Sequence, residues 1–237
     1  MNNEKKILVF TATYNEKENI EKLILSIREN LPLSTILIID DNSPDGTSDI
    51  IKKLQVKIKN LDLLVRDKKS GLDSAHKKAF EYAKKNNFNY LITMDADFSH
   101  DPKELSKFVK NLASNSFVLG SRYINGGKCI MKGSRLILSS LGNKFIKMIS
   151  GIKSNEFTTS YRGFNLDRLE NFDLNNVNCK GYSFMMGTIF ELYKINIAIK
   201  EIPIVFKDRS KGTSKIPRFE IFRTLKNLLI FTLKKYF

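Results

Sequence analysis

The sequence predicts a single α/β domain whose central sheet is mostly parallel and is flanked by helices. Apolar, β-rich runs recur at 7–11, 35–40, 61–65, 90–94 and 116–119. The segments between the early runs, 16–29, 46–58 and 71–86, have helical periodicity. Strands and helices that alternate in this way form right-handed βαβ units, and 237 residues can bury one full core of this kind.

Polar, mostly acidic loops follow three of these strands. The first strand leads into Thr13-Tyr-Asn-Glu16, the second into Asp40-Asp-Asn-Ser-Pro-Asp-Gly-Thr47 and the fourth into Met94-Asp-Ala-Asp97. Because ligands of open α/β sheets bind at the carboxyl ends of the strands, we expect the three loops to converge there. Ionised Asp side chains only accept hydrogen bonds, which suits the donors of a ribose or a base. The sequence therefore predicts a nucleotide pocket at this edge.

Asp95 and Asp97 are the most informative residues of the chain. They end an apolar strand and are separated only by Ala96. Two carboxylates at a crevice suit Mg²⁺, which takes one or two protein carboxylates and keeps water and phosphate oxygens as its other ligands. The alternative is that the pair only caps the helix that begins near Pro102, since Asp is a common capping residue. The convergence of three loops favours a metal-bound nucleotide.

The regular alternation of strands and helices ends after residue 125. A turn at 125–127 precedes a basic amphipathic segment at 132–151, a polar loop at 153–162 and a strand-like stretch at 197–206. Apolar residues recur at helical spacing in 136–152 and 219–237: Ile137, Leu141, Phe145, Met148, Ile149 and Ile152 in the first, and Phe222, Leu225, Leu229, Leu233 and Tyr236 in the second. Basic helices of this type either lie in a membrane interface or pack on the protein core.

Composition limits the partners and the compartment. The formal charge of +15 favours anionic partners such as nucleotides, lipid phosphates and acidic membranes. No zinc spacing, RNP-type strand or helix-turn-helix pattern stands out, so nucleic-acid binding is not expected. Cys129 and Cys179 belong to no disulfide or metal motif, which fits a reducing cytosol. We expect no signal peptide, because the N-terminus has no long apolar h-region, and no spanning helix, because no run reaches about 20 apolar residues.

The chain resembles the glycosyltransferase family 2 enzymes of GT-A fold, and most closely the dolichyl-phosphate (polyprenyl-phosphate) mannosyltransferases. The most specific segments are Asp95-Ala-Asp-Phe-Ser-His-Asp-Pro102 and Asp208-Arg-Ser-Lys-Gly-Thr-Ser-Lys215, and other matching segments span nearly the whole chain. The resemblance implies one GT-A domain over 1–237. Its expected parts are a nucleotide-sugar half (1–125), an acceptor half (126–216) and an amphipathic, membrane-associated helix (217–237).

The resemblance also implies roles for individual residues. The residues expected around the nucleoside are Ala12, Tyr14, Glu16, Ile39 and Asp41, with Asp95 and Ala96 beside the ribose and diphosphate. The expected ligands of Mg²⁺ or Mn²⁺ are Asp95, Asp97 and Ser99. The residues expected in catalysis, through the metal or the phosphates, are Asp97, Arg122, Arg135, Arg209 and Lys215, of which Asp97, Arg209 and Lys215 also belong to the nucleotide-sugar site.

Four positions depart from the family pattern. Ala12 lies where Pro is usual, Asp73 replaces a Gly-like residue, and Glu156 replaces an Asp. Gly187 lies where family members commonly carry a Glu, and Glu191, one helical turn further on, is the candidate replacement. These departures bear on the sugar and the acceptor more than on the fold.

The residue types expected at the site favour a phosphate acceptor independently of the resemblance. An alcohol acceptor needs a general base, whereas a lipid phosphate is already anionic near neutral pH. A metal and Arg or Lys side chains would stabilise the leaving diphosphate. His100 is expected to hydrogen-bond its loop rather than to act in catalysis. A basic site with no evident catalytic His therefore suits a phosphate acceptor.

We expect an inverting, metal-dependent transferase that moves a hexose onto a polyprenyl phosphate at the cytoplasmic membrane face. The favoured donor is GDP-mannose. One alternative is a family 2 transferase that uses a UDP-sugar, for polyprenyl-phosphate glucose or a surface polysaccharide. Another is a nucleotide-sugar-binding protein without turnover, against which the acids Asp95 and Asp97 and the basic residues Arg209 and Lys215 argue. The sequence does not indicate partner subunits.

Overall fold

The computed structural model describes residues 5–131, 134–181, 183–207 and 220–236, without the side chains of 134–135, 220–222, 224 and 233–236. The strands are β1 (Ile7–Thr13), β2 (Thr35–Asp40), β3 (Leu61–Val65), β4 (Tyr90–Thr93), β5 (Phe117–Ser121), β6 (Lys128–Ile130), β7 (Arg162–Asn165), β8 (Ile199–Pro203) and β9 (Val205–Lys207). The helices are α1 (Ile20–Asn30), α2 (Thr47–Gln55), α3 (Leu72–Lys85), α4 (Leu105–Leu112), α5 (Ser134–Ser150), α6 (Ser183–Lys194) and α7 (Glu220–Tyr236). Short 3₁₀ turns lie at 102–104, 166–168 and 174–176.

A seven-stranded sheet forms the centre of the molecule, in the order β3-β2-β1-β4-β7-β5-β8. Six of its strands run parallel, and β7 lies antiparallel between β4 and β5. β6 and β9 form a separate parallel pair. The prediction of a mostly parallel sheet flanked by helices is confirmed.

Both faces of the sheet are covered by helices, which explains why β1, β2, β4 and β5 are buried along most of their length rather than at every second residue. Within β2, Leu37 and Ile39 belong to one core and Ile36 and Ile38 to the other. Helices α1, α2 and α4 contribute to the core on one face, and α3, α5, α6 and α7 to the core on the opposite face. The sheet therefore places its carboxyl edge between two helical layers.

The five early strands and the first three helices agree with the sequence-based prediction. Helix α1 begins later than predicted, because the carbonyl of Glu16 accepts hydrogen bonds from the amides of Asn19 and Ile20 in a preceding turn. The strand-like stretch at 197–206 is divided between β8 and β9. The interpretation of 153–162 as a polar loop misses that it leads directly into β7.

Helices α5 and α7 each have a buried and an exposed apolar face. Ile146 and Phe231 are buried, whereas Met148 and Leu229 are 71% and 62% exposed. Core packing and an outward-facing apolar surface thus occur on different sides of the same helices. The predicted stripe residues Phe222, Leu233 and Tyr236 lie outside the described side chains.

None of the described helices is both long enough and apolar enough to cross a membrane. Cys129 and Cys179 are free thiols.

Candidate active site

The three predicted loops meet at the carboxyl edge of the sheet. The hydroxyl of Thr11, near the end of β1, donates to the carbonyl of Met94 at 2.6 Å and joins the strand before the first loop to the third loop. The amide of Asn15 donates to Ser43 Oγ at 2.9 Å and joins the first loop to the second. The predicted convergence is confirmed.

Two acids of the second loop hold this edge together. Asp40 Oδ1 accepts from the hydroxyls of Thr13 at 2.7 Å and Ser43 at 2.6 Å. Asp45 accepts from Thr47 Oγ1 at 2.6 Å and from the amide of Lys17 at 3.0 Å. These carboxylates fix the loop walls before any ligand binds.

Asp41, which the resemblance places at the nucleoside, is an anchor for the loop between β3 and α3. One oxygen pairs with the guanidinium of Arg66, and the other accepts from the amides of Ser70 at 3.1 Å and Gly71 at 3.3 Å. Hydrogen bonding to a base would require an exchange of these partners. Sequence reasoning missed Arg66, although its position directly after β3 places it at the same sheet edge.

The other predicted nucleoside residues lie in different surroundings. Tyr14 is partly buried, and Lys69 Nζ lies 4.2 Å from the centre of its ring. Glu16 is also partly buried and accepts from Asn19 Nδ2 at 3.0 Å. Ala12 pairs with Ile39 across β1 and β2, and the Ile39 side chain is fully buried in the core. Only the backbone of Ile39 can therefore face a nucleoside.

The loop after β4 carries the paired acids. The Asp95 side chain is 37% exposed, and Asp97 is buried with Oδ1 accepting from the amide of Ser99 at 3.1 Å. Phe98, which lies between Asp97 and Ser99, has a positive φ of 60°, which is unusual for a bulky residue and typical of a functional turn. The helix cap is formed instead by Asp101, which accepts from the amide of Lys103 at 3.1 Å.

The donor set of this loop fits a hard divalent cation. Ser99 Oγ is buried and has no hydrogen-bond partner among the described residues, so it has an unused oxygen beside the two carboxylates. Carboxylate and hydroxyl oxygens suit Mg²⁺ or Mn²⁺. The described residues contain no group of three or more His, Cys, Asp or Glu that could hold a metal alone. A cation here would need oxygen ligands from its substrate and from water.

His100 is a structural support for the loop. It is fully buried, and its Nδ1 accepts from the amide of Asp95 at 3.1 Å. This bond places the ring proton on Nε2, which lies 3.2 Å from Thr159 Oγ1. Burial lowers the pKa of His100 and keeps the ring neutral. The expected loop-bonding role of His100 is confirmed.

Arg122 is buried and paired rather than solvated. Its Nε and Nη2 donate to the two carboxylate oxygens of Glu156 at 2.7 and 2.8 Å, and Nη2 also donates to Thr158 Oγ1 at 2.7 Å. Its guanidinium lies 5.1 Å from the Tyr123 ring and 4.9 Å from the Phe206 ring. Burial acts to lower the pKa of Arg122, but the Glu156 carboxylate outweighs this effect and raises it. Nη1 takes part in none of these three hydrogen bonds.

Comparison with known proteins decides the family. The model of the family "Glycosyl transferase family 2" matches residues 8–172. The chain belongs to glycosyltransferase family 2. It is therefore a glycosyltransferase, as the resemblance implies.

Two relatives match most of the transferase at 32% identity over 212 residues. One is the undecaprenyl-phosphate mannosyltransferase of Micrococcus luteus, where the match covers 89% of this chain and 87% of the relative. The other is the polyprenol monophosphomannose synthase of Mycolicibacterium smegmatis, where the match covers 88% of this chain and 80% of the relative.

Solved structures share the fold of the transferase at low identity. The glucosyl-3-phosphoglycerate synthase of Mycobacterium tuberculosis, in complex with Mn²⁺, UDP and glucosyl-3-phosphoglycerate, matches with a TM-score of 0.68 at 14% identity, over 97% of this chain and 79% of that one. A mannosyltransferase of Pyrobaculum calidifontis, in complex with GDP-Man and Mn²⁺, has a TM-score of 0.58 at 17% identity. The match covers 99% of this chain and 65% of that one. The predicted GT-A fold is confirmed.

Three predicted basic residues of the transferase cannot be located at the site. Arg135 lies in the first turn of α5, and its side chain is outside the description. Arg209 and Lys215 lie outside the described residues. The last described residue before them, Lys207, donates its amide to the carbonyl of Ser99 at 3.2 Å. Their roles stay predictions.

Gly187 departs from the common family residue because the transferase packs closely there. A Cβ at this position would lie 2.8 Å from Cys179 Sγ and 2.9 Å from Val177 Cγ1. An acidic side chain therefore has no room. Glu191 pairs with Lys194 at 2.7 Å on the same helix, and within the described part of the chain no hydrogen bond or ion pair links it to Asp95 or Asp97.

Proposed function

We propose that this chain is a metal-dependent, inverting polyprenyl-phosphate mannosyltransferase that uses GDP-mannose. The observation that carries the proposal is the similarity over most of the chain to two relatives named for mannosyl transfer to undecaprenyl phosphate and polyprenol. The paired acids Asp95 and Asp97 at the carboxyl edge of the sheet support it. The division into a nucleotide-sugar half and an acceptor half stays a prediction within it.

The reaction joins an acceptor phosphate oxygen to C1 of the sugar while the bond from C1 to the donor diphosphate breaks. A bound divalent cation would neutralise charge on the leaving diphosphate. Asp95, Asp97 and Ser99 would hold that cation, and the loops fixed by Asp40 and Asp45 would hold the nucleoside. Because Asp40 and Asp45 are held by internal hydrogen bonds, these two parts of the loop need little reorganisation when the donor binds, whereas Asp41 would have to exchange its partners to bond a base.

The state of the histidines supports a phosphate acceptor. His100 is neutral, buried and engaged by Asp95 and Thr159 on its two ring nitrogens, so it is not placed to take a proton from an acceptor. His76 is also buried against Phe10 and Phe184, and burial lowers its pKa to about 3. A phosphate nucleophile needs no general base near neutral pH, so this arrangement suits it.

An outward-facing apolar surface supports action at a membrane. We call it the α5–α7 surface, and its exposed residues are Ile137, Leu138, Leu141, Phe145 and Met148 on α5 and Leu225, Leu229 and Ile230 on α7. The two helices contact one another, and basic residues such as Lys144, Lys147 and Lys226 belong to the same helices. We propose that this surface lies on the cytoplasmic face of the membrane, where anionic lipids attract basic residues by about 1 kcal/mol each.

The donor can be tested with the purified full chain and a polyprenyl phosphate. Radiolabelled GDP-mannose, UDP-glucose and UDP-N-acetylglucosamine are offered separately with Mg²⁺ or Mn²⁺, and label in the lipid phase is measured. The proposal predicts transfer from GDP-mannose above the other donors. Preferential transfer from a UDP-sugar would replace it with the alternative of polyprenyl-phosphate glucose or polysaccharide synthesis. Nucleotide binding without any transfer would favour a non-catalytic protein.

A further inference from the structure

We infer that Ser160 is a positioning residue that orients the Asp95 carboxylate for its ligand. Its hydroxyl donates to Asp95 Oδ1 at 2.5 Å, across 65 residues of sequence. Ser160 is itself buried, and the bond to the more exposed Asp95 carboxylate is partly buried. The inference rests on the proposed metal-bound donor and adds a residue to which neither the family resemblance nor the comparisons give a role.

The antiparallel strand β7 places Ser160 opposite Asp95. Thr93 of β4 pairs with Arg162 of β7. Because the strands run in opposite directions, the residue two positions after Thr93 faces the residue two positions before Arg162. Those residues are Asp95 and Ser160. The Thr93 hydroxyl also donates to the carbonyl of Ser160 at 2.5 Å, which extends the contact between the two strand ends.

The segment 156–160 is held on its other side as well. The Glu156 carboxylate accepts from the amides of Thr158 at 3.0 Å and Thr159 at 3.2 Å. The buried guanidinium of Arg162 donates to the carbonyl of Thr159 at 2.8 Å and to that of Phe157 at 3.2 Å. With its neighbours fixed in this way, Ser160 has a fixed position from which to direct the carboxylate.

The bond selects which oxygen of Asp95 faces the ligand. Oδ1 is engaged by Ser160, and the Asp95 amide is engaged by His100. Oδ2 lies 3.9 Å from His100 Nδ1, beyond hydrogen-bond distance, and the side chain is 37% exposed. Oδ2 is therefore the oxygen presented to a cation or a ribose. Partners of this kind fix the orientation of metal-binding carboxylates, and their loss costs about 10- to 100-fold in metal affinity or activity.

The test uses Ser160→Ala and Ser160→Cys in the full chain. Cysteine nearly keeps the volume but donates hydrogen bonds only weakly. Mn²⁺ binding in the presence of GDP is measured by calorimetry, and GDP binding is measured separately in EDTA. The control is Ser34→Ala, which removes another buried hydroxyl, one that donates to the Leu31 carbonyl at 2.8 Å far from the paired acids.

We expect both Ser160 variants to lose about 10- to 100-fold in Mn²⁺ affinity, with metal-free GDP binding retained and Ser34→Ala unchanged in both measurements. If Ser160→Ala fails to fold, the Mn²⁺ affinity of Ser160→Cys alone tests the inference. Wild-type Mn²⁺ affinity in the Cys variant would overturn the inference, because only space filling would then matter. If the wild-type protein with GDP binds no Mn²⁺, the proposed metal dependence fails too, so the two failures are distinguishable.

Discussion

The guanidinium of Arg122 and the carboxylate of Glu156 form a two-point ion pair in the protein interior. Nε lies 2.7 Å from Oε2 and Nη2 lies 2.8 Å from Oε1, and the Glu156 side chain is fully buried. The pair joins the end of β5 to the segment that precedes β7. Since that segment also carries Ser160, the ion pair connects a proposed phosphate-binding residue to the support of Asp95.

Glu156→Gln is expected to destabilise the protein strongly. The substitution keeps the size of the side chain but leaves the Arg122 cation buried without its counter-ion, which costs about 3–5 kcal/mol in the free energy of unfolding. Urea denaturation near neutral pH measures this loss. Asp49→Asn is the control, because it breaks an exposed pair with Lys52 at 3.6 Å that is worth about 0–1 kcal/mol. Equal, small losses in both variants would contradict the assigned role of the buried pair.

The same variant tests how the stability of the protein depends on pH. Burial acts to raise the pKa of Glu156, but Arg122 and the hydrogen bonds from Thr158 outweigh it, so the pKa is lowered in the folded state. A lowered carboxyl pKa stabilises the fold above the ordinary Glu value of about 4.3, and this contribution is lost as pH falls through the folded pKa. The stability difference between wild type and Glu156→Gln should therefore shrink in acid. A difference that grows in acid would contradict the assignment.

Much of this architecture could be predicted from the sequence, because β1 to β5 are apolar runs and α1 to α3 have clear periodicity. Strand β7 could not, since Arg162 and Asn165 are unlike residues of a central strand. Its placement depends on pairing with β4 and β5, which is tertiary information. The paired acids were predictable from adjacent residues. Ser160 was not, because the contact that defines it spans 65 residues.

Gly187→Ala is expected to destabilise the packing of α6 against α7. The added methyl would lie 2.8 Å from Cys179 Sγ and 3.2 Å from Phe231, so the neighbours must shift at a cost of about 1–3 kcal/mol. Gly142→Ala is the matched control in α5, where no described atom outside the local helix backbone lies within 4 Å of the added methyl. That control should be neutral or stabilising by up to about 1 kcal/mol. Thermal denaturation compares the two, and equal effects would refute the packing explanation.

Membrane binding is expected to depend on the α5–α7 surface. Met148→Asp with Leu229→Asp should keep the fold, because both side chains are exposed, and should abolish binding to vesicles that contain anionic phospholipid. Flotation with the vesicles measures binding. Phe231 is unsuitable for this test, since it is buried with its ring 4.8 Å from that of Phe190.

The control for membrane binding is Leu33→Asp with Val56→Asp, which changes two exposed apolar residues elsewhere on the surface. It should bind vesicles like the wild type. If both double variants bind equally well, the α5–α7 surface is not the membrane-binding surface.

Asp97→Asn is expected to abolish transfer and the metal-dependent part of GDP binding. Loss of a carboxylate beside the diphosphate should raise the barrier by several kcal/mol, since the cation no longer neutralises the leaving group. Initial rates and calorimetry measure the two effects. Asp101→Asn is the control, because Asp101 caps the 3₁₀ turn at 102–104 and Asn is also a good capping residue. Undiminished wild-type activity in EDTA would refute the metal mechanism.

We propose a lipid phosphate as the acceptor, and mannosyl transfer to a matched pair of lipids tests this proposal. Purified protein receives labelled GDP-mannose, a divalent metal, and either a polyprenyl phosphate or the corresponding polyprenol in identical vesicles. We predict lipid-phase label with the phosphate alone, because neither described histidine is placed to take a proton from an alcohol, whereas the phosphate is already an anion. Equal labelling of the polyprenol, or label that enters only water-soluble products in the presence of the phosphate, would contradict it.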